Sequence, residues 1–578
     1  MQISRLVVKN FRSIEHAEIL LPRHAVLIGD NNIGKTTLIE AINLVLGPDR
    51  LNRQPPINEH DFFQSKYLAE GTEDAETTTD PPEVAGPEIN IEVTITDLTE
   101  EQKAHFGDHV EFWDESNHAL YNEPNPAGVD GDSITEALRV SFIGRYDREE
   151  DDFEGKTYFT RSLTENDNPQ SFTKRDKRNC GFLYLRSLRT GSRALSLERG
   201  SLLDIILHLR EIRPQMWENT LDEFRTYAVA ADQTDITRVL ESINAALKKY
   251  VPKEWGDKPH LKVSNLTRDH LRKVITAFVA TGNGNHSVPF YLQSTGTINM
   301  LVLAMLSQIA EDKQNVIFAM EEPETAIPPY AQKRIVHEVR KLSSQAIFTS
   351  HSPYVLEEFT PDETVVLART GNGDLERLPI ELPNSVKPKR YRQEFRTRFC
   401  EGLLARRVLI AEGATEATAF PAVCRRLAEL NPEIYASLES LGICTIDAGS
   451  ETQIAPLAGF YRGLGKQTFA ICDKQTDERK AQIETQATLF MHGEKGFEDL
   501  VFKGTTQEAL VRFAGLVDWP LHILEKYLAP NTQPVEALWE YFRGKKAEWG
   551  IADFLAQCNE SEIPDWLRNT CFYLKMFC

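Results

Sequence analysis

A glycine-rich loop near the start of the chain has the spacing of residues that bind nucleotide phosphates. Residues 29–36 read GDNNIGKT, which fits G-x-x-x-x-G-K-[ST], and they lie between an apolar segment at 25–28 and a helix-like run. Glycines let backbone N–H groups surround phosphates, the lysine reaches the β- and γ-phosphates, and the hydroxyl that follows holds Mg²⁺. We therefore predict that the loop binds a nucleotide, with Lys35 on the phosphates and Thr36 on the metal ion. The predicted nucleotide-binding residues of the loop are Gly29, Asp30, Asn31, Asn32, Ile33, Gly34, Lys35, Thr36 and Thr37.

Two later segments end in residues that serve nucleotide hydrolysis. Residues 316–322 read VIFAMEE, a strand-like run ending in two carboxylates, and residues 345–351 read QAIFTSH. We predict that Glu321 binds the Mg²⁺ shell, that Glu322 polarises the attacking water, and that His351 contacts the γ-phosphate. Alone, each signal is weak, because acids often follow ordinary strands and a single histidine is usually structural.

A small polar turn at 294–297, Ser-Thr-Gly-Thr, precedes an apolar helix-like segment at 298–309. The chain also opens with MQISRLVVKNFRSIEHAEI, which has the pattern of an antiparallel strand pair around an N-F-R-S turn. The order of these motifs resembles the ABC-type ATPases of the structural-maintenance and RecF-like group. The resemblance implies that residues 29–37 are Walker A, that Glu321 and Glu322 are the Walker B acid and the catalytic glutamate, and that His351 is the switch histidine.

The turn at 294–297 lies where that group has its signature motif. Ser294 and Gly296 are what remains of the usual L-S-G-G-Q, so the resemblance implies that both belong to the nucleotide site. ATP sites of the group close across two subunits, which implies a homodimer or a higher homo-oligomer.

Composition limits the classes of function. The chain has 578 residues, enough for two to four domains, and its net charge of −21 argues against a generally adhesive nucleic-acid binder. One basic run at 387–398 either binds phosphates or is a solvated connector, and the sequence favours neither. The eight cysteines show no metal spacing, and no apolar run is long enough to span a membrane. We expect reduced thiols and a cytoplasmic protein.

A second group of acids follows buried strands late in the chain. Residues 407–412 read RVLIAE, residues 467–473 read QTFAICD, and Glu416 falls in the first turn of a predicted helix. Because the carboxyl ends of parallel strands meet at one edge of a sheet, Glu412, Glu416 and Asp473 should converge. Oxygen ligands of this kind suit Mg²⁺ or Mn²⁺ and phosphodiester chemistry. Otherwise these residues are ordinary solvated loop acids.

The E-G-x-x-E motif at 412–416 and the strand-terminal Asp473 resemble a Toprim domain. An ABC-type ATPase joined to such a domain resembles the overcoming-lysogenization-defect (OLD) family of ATP-dependent endonucleases. The resemblance implies DNA as substrate, a role in bacterial anti-phage defence, and a possible defence partner, either a helicase-like protein or a reverse transcriptase with its DNA product.

The sequence departs from the Toprim pattern at one acid. Where D-x-D is usual, the chain reads Asp473-Lys474-Gln475. The Gln475 carbonyl can still coordinate a metal, and five nearby acids can substitute for the missing one: Asp447, Asp477, Glu478, Glu498 and Asp499. Near the C-terminus, Lys545 or Lys546 resembles the family's basic motif and would stabilise charge in the transition state. An ordinary solvated helix end is the alternative.

The fold class that follows is α/β, an ABC-type (RecF/SMC-like) ATPase head with a helical insertion, followed by a Rossmann-like Toprim domain. Apolar residues at helical spacing within 196–250 predict the insertion and its use in dimerisation, although packing within one chain also explains them. The expected division is 1–170 (ATPase, with a disordered loop about 65–87), 171–258 (insertion), 259–395 (ATPase) and 396–578 (Toprim nuclease). The leading function is an ATP-dependent, metal-dependent DNA endonuclease. The alternative is an ATP-dependent sensor of DNA structure whose degenerate Toprim domain acts through a partner.

Overall fold

The structure is a computed structural model. It describes residues 1–48, 55–68, 86–165, 168–185, 201–209, 316–325, 327–371, 373–383, 396–544 and 550–578, with shorter pieces within 219–309. Several predictions lie outside the described residues: most of the acidic loop at 65–87, most of the helical insertion, the greater part of the basic run, Gly296 and Lys545.

The described strands are numbered in chain order. They are β1 Gln2–Phe11, β2 Ile14–Leu20, β3 His24–Ile28, β4 Ile89–Thr96, β5 Val110–Asp114, β6 Ala119–Tyr121, β7 Ile134–Asp147, β8 Asp152–Phe159, β9 Phe182–Leu185, β10 Phe278–Ala280, β11 Ser287–Pro289, β12 Ile317–Glu321, β13 Gln345–Thr349, β14 Thr364–Arg369, β15 Leu375–Leu378, β16 Arg407–Ala411, β17 Ile443–Asp447, β18 Gln467–Cys472 and β19 Thr488–Met491.

Helices surround these strands. The described α-helices are Lys35–Leu46, Glu100–Phe106, Thr160–Glu165, Lys174–Asn179, Leu202–Leu209, Pro329–Leu342, Pro353–Leu356, Arg396–Leu404, Ala414–Leu430, Ile454–Gly463, Asp477–Glu484, Phe497–Gly504, Gln507–Ala514, Leu521–Lys526, Pro534–Gly544, Gly550–Ala556 and Asp565–Phe577. No helix in the described part of the chain is long and apolar enough to cross a membrane.

A large mixed sheet forms the N-terminal unit. Its order is β6-β5-β7-β4-β1-β2-β15-β14-β3-β13-β12-β9, with β8 paired to β7. The opening β1–β2 pair is antiparallel, as predicted from the first residues, and β4 and β7 also pair antiparallel. The other end of the sheet is parallel, through β14, β3, β13, β12 and β9. Its central strands are buried along almost their whole length, which explains their unbroken apolar runs.

The ATPase unit extends further along the chain than the sequence suggested. Strand β9 pairs with β12 at the edge of the large sheet, and helix Lys174–Asn179 precedes it. Both fall in the segment from residue 171 that was assigned to the helical insertion. The pairing therefore gives residues 174–185 to the ATPase unit, because their apolar side chains belong to its core.

The second unit is built on a parallel sheet of order β17-β16-β18-β19. Helix Arg396–Leu404 joins the two units: Phe399 and Leu403 are buried in one apolar cluster with Phe348 of the first sheet and Ile446 of the second. A Cβ at Gly402 would come 2.7 Å from the hydroxyl of Tyr461, so this close approach requires glycine. A separate cluster fills the space between the second sheet and the C-terminal helices.

One buried lysine makes the stability of the ATPase unit depend on pH. Lys177 is 1% exposed, and its ammonium donates to the carbonyl of Leu44, at the end of the helix that follows the glycine-rich loop, at 2.9 Å. Burial lowers the pKa of Lys177 from 10.5 to about 7. The folded protein thus releases a proton that the unfolded chain keeps, so stability rises with pH between these two values and is constant below the lower one.

We predict that raising the pH from about 7 to about 9 stabilises the wild-type protein by about 2 kcal/mol more than it stabilises Lys177→Met. The measurement is chemical unfolding of both proteins at the two pH values, monitored by a signal that reports the unfolding of the ATPase unit. Equal pH dependence in the two proteins would contradict the assignment.

Candidate functional site

The glycine-rich loop connects β3 to helix Lys35–Leu46 and is shaped by two glycines. Gly29 and Gly34 have φ values of +151° and +124°, and a Cβ at Gly29 would lie 2.8 Å from the carbonyl oxygen of Leu367. The Lys35 ammonium donates to the carbonyls of Gly29 and Asp30 at 2.9 and 3.0 Å. The loop therefore already holds its lysine across the site where phosphates bind in such loops.

Glu321, the predicted Walker B carboxylate, lies at the carboxyl end of β12, in parallel register beside the end of β13. The hydroxyl of Tyr184, on β9, donates to Glu321 Oε1 at 2.8 Å and lies 3.2 Å from Glu40 Oε1, on the helix after the loop. Tyr184 thus fixes the orientation of Glu321 relative to the loop helix.

Glu322 and His351 lie in the same site as Lys35. Burial lowers the pKa of His351, the Lys35 charge lowers it further, and Glu322 opposes that effect, so the three groups are within electrostatic range. Glu322 has φ of +44°, a left-handed conformation that is strained for a residue other than glycine. Its backbone N–H donates to the Thr349 carbonyl at 2.9 Å, which holds that conformation.

A second acid of the same turn positions the histidine segment. Glu324 Oε1 accepts from the backbone N–H of His351 at 2.7 Å, and Oε2 accepts from the Ser350 hydroxyl at 3.0 Å. Burial raises the pKa of Glu324, and these hydrogen bonds oppose that rise. Glu324 therefore ties the β12 turn to the end of β13.

The signature-like turn lies elsewhere on the surface. Ser294 accepts a backbone hydrogen bond from Thr297 at 3.3 Å and lines a cavity of about 870 Å³ beside helix Pro329–Leu342, together with Tyr330 and Arg334. Among the described residues that line this cavity, none belongs to the glycine-rich loop.

The acids of the second unit converge as predicted from parallel strand ends. Glu412 follows β16, Asp473 follows β18, and the backbone N–H of Asp473 donates to Glu412 Oε2 at 3.1 Å. Glu416 lies in the first turn of helix Ala414–Leu430. Burial raises the pKa of Glu416 to about 7, and the charges of Asp473, Glu412 and Glu498 add to that effect. Burial also raises the pKa of Glu412, again with a contribution from Asp473.

Gln475 occupies the position of the missing second aspartate. Its amide nitrogen donates to Glu412 Oε2 at 3.0 Å, so the side chain is turned into the acid cluster. The residue is 8% exposed, and its Oε1 is buried without a hydrogen-bond partner in the described residues. Of the five acids that could replace the missing aspartate, Glu498 is the one that is buried and whose charge acts on Glu416.

The sequence did not single out His492, which follows β19 at the same sheet edge. Its Nε2 lies 2.9 Å from Asp473 Oδ1, although the two atoms are not aligned as a hydrogen bond. The ring is 3% exposed and packs edge-on against Trp566, with centroids 5.1 Å apart. The rule that located Asp473, a polar residue directly after an apolar strand, would also have found His492 after β19, whereas Tyr184 lies inside β9 and gives no such signal.

The donor set of this cluster fits a divalent cation. Among the described residues, no three His, Cys, Asp or Glu are arranged closely enough to enclose a metal ion as they stand. Even so, Asp473 Oδ1 and Gln475 Oε1 are buried acceptors without aligned partners beside two carboxylates whose pKa values are raised. Buried oxygens of this type are the ligands that Mg²⁺ and Mn²⁺ take, and a cation would offset the cost of their charge.

The two units are similar to known domains. The family described as "AAA domain, putative AbiEii toxin, Type IV TA system" matches residues 25–357, and the family described as "Overcoming lysogenization defect protein-like, TOPRIM domain" matches residues 403–474. The OLD nuclease of Thermus scotoductus is 24% identical over 512 residues, which covers 84% of each chain.

Solved structures with related folds include an SMC head bound to the C-winged helix domain of ScpA and the C-terminal region of the Burkholderia pseudomallei OLD protein. The first is 12% identical, covers 67% of this chain and 100% of that chain, and has a TM-score of 0.33. The second is 16% identical, covers 30% and 98%, and has a TM-score of 0.24. The first family matches more than half of the chain, so the chain belongs to that AAA-domain family of ATPases. A C-terminal OLD-like TOPRIM domain follows the ATPase domain.

Proposed function

We propose that the protein is an ATP-hydrolysing, divalent-metal-dependent DNA endonuclease. The observation that carries the proposal is the convergence of Glu412, Glu416 and Asp473 at the carboxyl edge of a TOPRIM sheet that shares an apolar core with the ATPase. A buried acid cluster of this kind is costly to keep unless it binds cations, and phosphodiester cleavage uses such cations.

In the ATPase unit, Lys35 would move from the loop carbonyls to the β- and γ-phosphates, and Thr36 and Glu321 would hold the Mg²⁺ shell. Glu322 would orient the attacking water, and His351 would contact the γ-phosphate. Tyr184 and Glu324 would keep Glu321 and His351 in place through the hydrogen bonds described above. Ser294 and Gly296 would complete the site from a second subunit, which makes the active form a homodimer or a higher oligomer.

In the TOPRIM unit, Glu412, Glu416 and Asp473 would hold Mg²⁺ or Mn²⁺, with Gln475 Oε1 and Glu498 as further ligands. The bound ions supply the charge that stabilises the attacking and leaving oxygens of the phosphodiester. The chain itself positions Glu412 and Asp473 directly after strands and Glu416 in the first turn of a helix, where it is buried. Lys545 would add positive charge beside the scissile phosphate.

The biological setting we propose is anti-phage defence in the bacterial cytoplasm. Its support is the resemblance to the OLD family and the description of the matched ATPase family as a putative toxin of a toxin–antitoxin system. A helicase-like protein or a reverse transcriptase with its DNA product is the kind of partner that fits this setting.

One observation favours a second function. Gln475 stands where a second aspartate is usual, and its amide already donates to Glu412. A TOPRIM unit weakened in this way would act as a DNA-binding platform, and ATP would control a sensor of DNA structure that works through a partner.

Plasmid cleavage by the purified full chain discriminates the two functions. The assay is run with and without ATP, across Mg²⁺, Mn²⁺ and Ca²⁺, with Asp473→Ala purified in parallel. Divalent-dependent cleavage that Asp473→Ala lacks supports the nuclease. DNA binding without cleavage under every metal, including in the presence of its genomic neighbours, supports the sensor.

For the ATPase, we predict that Lys35→Ala lowers hydrolysis by about 10²-fold or more, because the cation over the phosphates is lost. Glu322→Gln should bind ATP as the wild type does, yet lose about 10²–10⁴-fold in turnover, because the water loses its base. Phosphate release and fluorescent-ATP binding measure the two effects. Wild-type turnover by Glu322→Gln would reject its catalytic role.

For the nuclease, we predict that Glu412→Ala, Glu416→Ala and Asp473→Ala each abolish cleavage and leave ATP hydrolysis intact. We expect the wild type to need high divalent concentrations and to prefer Mn²⁺, because Mg²⁺ demands a near-ideal ligand set. Gln475→Asp should lower the metal concentration at half-maximal cleavage, since it adds a charged ligand. A metal titration in which Gln475→Asp needs as much metal as the wild type would argue against Gln475 as the missing ligand.

For His492, we predict a positioning role on Asp473. His492→Leu should lower the cleavage rate by about 10–100-fold at saturating DNA, as is typical when a group that orients a metal ligand is lost, whereas His492→Gln should retain more activity. ATP hydrolysis and the thermal midpoint serve as controls. Equal losses in the two variants, with an equal drop in thermal midpoint, would indicate a packing role only.

A further inference from the structure

A cavity of about 440 Å³ lies among the C-terminal helices of the TOPRIM unit. Its lining comes mainly from the helices Phe497–Gly504, Leu521–Lys526 and Pro534–Gly544. Three of the lining residues are aromatic, four are charged, and the last is Val535. A cavity with this mixture suits a flat ligand that also carries polar groups.

Two aromatic rings form adjoining walls of the cavity. The ring centroids of Phe502 and Trp539 are 5.3 Å apart, and the ring planes are inclined by 68°. A flat ring that stacks on one of them therefore meets the edge of the other, and both arrangements are favourable for aromatic groups. Both side chains are partly exposed, so each has surface left for a ligand.

The charges that line the cavity are balanced. Lys526 Nζ lies 2.6 Å from Glu540 Oε2, and the Tyr527 hydroxyl donates to the same oxygen at 2.9 Å. Glu536 and Arg543 are both exposed and bring one charge of each sign. Because the four charges sum to zero, a neutral group fits the interior of the cavity better than a phosphate does.

Arg543 presents an exposed cation beside the aromatic wall. Its guanidinium lies 4.9 Å from the centre of the Trp539 ring, and it forms no ion pair with another residue in the described part of the chain. Proteins that hold single-stranded nucleic acid combine these two features, since bases stack on aromatic rings and cations bind the backbone phosphates.

The cavity lies about one helical turn from the acid cluster. Glu498 is in the first turn of helix Phe497–Gly504, and Phe502 follows four residues later, on the same side of the helix and about 6 Å further along its axis. A Cβ at Gly496 would lie 3.2 Å from Glu498 Oε2 and 4.0 Å from Asp473 Oδ2, so both carboxylates border this glycine. A DNA strand advances about 3.4 Å per nucleotide, so the cavity is within about two nucleotides of the acids.

We infer that the cavity binds an unpaired base of the DNA strand that reaches the acid cluster. The base stacks on Trp539 with its edge toward Glu536, which accepts from amino groups of bases, and Arg543 binds the adjoining phosphate. A base within a duplex has both faces covered by its neighbours and does not enter. The inference rests on the proposed nuclease function and deepens it, because it makes single-stranded or frayed DNA the substrate class.

The test measures how the full-length protein binds two fluorescent strands of equal length, one with normal bases and one made of abasic residues. Divalent ions are left out so that no cleavage occurs. The proteins are the wild type, Trp539→Leu, Trp539→Phe and Arg543→Gln. Tyr573→Leu is the matched control, because Tyr573 is 51% exposed on the last helix and lies outside the cavity.

We expect the wild type and Tyr573→Leu to bind the strand with bases about tenfold more tightly than the abasic strand. Trp539→Leu should lose this preference, and Trp539→Phe should keep most of it because it retains an aromatic face. Arg543→Gln should weaken binding of both strands alike and reduce the salt dependence, since its partner is the phosphate. A preference that is unchanged in Trp539→Leu overturns the inference, as does an equal loss for a blunt duplex.

Tryptophan emission gives a second readout that does not depend on the leucine variant being folded. A base that stacks on Trp539 quenches its emission, so the unlabelled strand with bases should quench the wild type more than it quenches Trp539→Phe. Equal quenching also overturns the inference. Plasmid cleavage tests the nuclease separately: a wild type that cleaves DNA without any preference for bases loses only the cavity assignment, whereas one that neither binds nor cleaves DNA loses both.

Discussion

Parallel pairing of buried strands is the constraint on which both candidate sites depend. In the first sheet, β3, β12 and β13 run in the same direction, so the glycine-rich loop, Glu321 and His351 emerge at one edge. In the second sheet, the same rule brings Glu412 and Asp473 together. Each site combines segments that are far apart in sequence, and a strand reversed or shifted by one residue would dismantle either site.

The carboxylates buried at these sheet edges have different surroundings in the two sites. In the ATPase site, neutral donors hold the acids: Tyr184 donates to Glu321, and the Ser350 hydroxyl and the His351 backbone N–H donate to Glu324. In the TOPRIM site, acids face other acids, and the pKa of Glu416 is raised to about 7. The first arrangement fixes geometry before a ligand arrives, and the second leaves an electrostatic cost that a cation would offset.

Much of this architecture could be predicted from the sequence, because it follows from local patterns. Apolar runs that end in a glycine-rich loop, in Glu321-Glu322 or in Asp473 locate buried strands and the residues after them. Features that depend on pairing between distant segments could not be predicted in this way. Nothing local marks β9 as an edge strand of the ATPase sheet, and its pairing with β12 depends on residues 135 positions away, as Phe182 lies opposite Ile317.

Contacts between the units were also beyond local reasoning. The burial of Phe399 in a cluster shared by the two sheets depends on how the two units pack, and an apolar residue in a short helix has no distinguishing sequence pattern. His492 was accessible in principle, since it directly follows the apolar residues of β19, whereas Tyr184 lies inside β9. Both strands are brief and lie at sheet edges, where the apolar pattern is weakest.

Helix Arg396–Leu404 bears on how such a protein could evolve. Phe399 packs against Phe460 of the second unit, with ring centroids 4.9 Å apart, and belongs to the same cluster as Phe348 of the first. Modular proteins can exchange a domain during evolution when a polar linker separates that domain from its neighbour. In this protein, an exchange of domains at this helix would leave half of the shared apolar surface exposed to water. A TOPRIM unit from another protein would therefore have to bring its own helix and a matching ATPase surface. We expect the two halves to have been inherited together, and their lineages to have the same branching order.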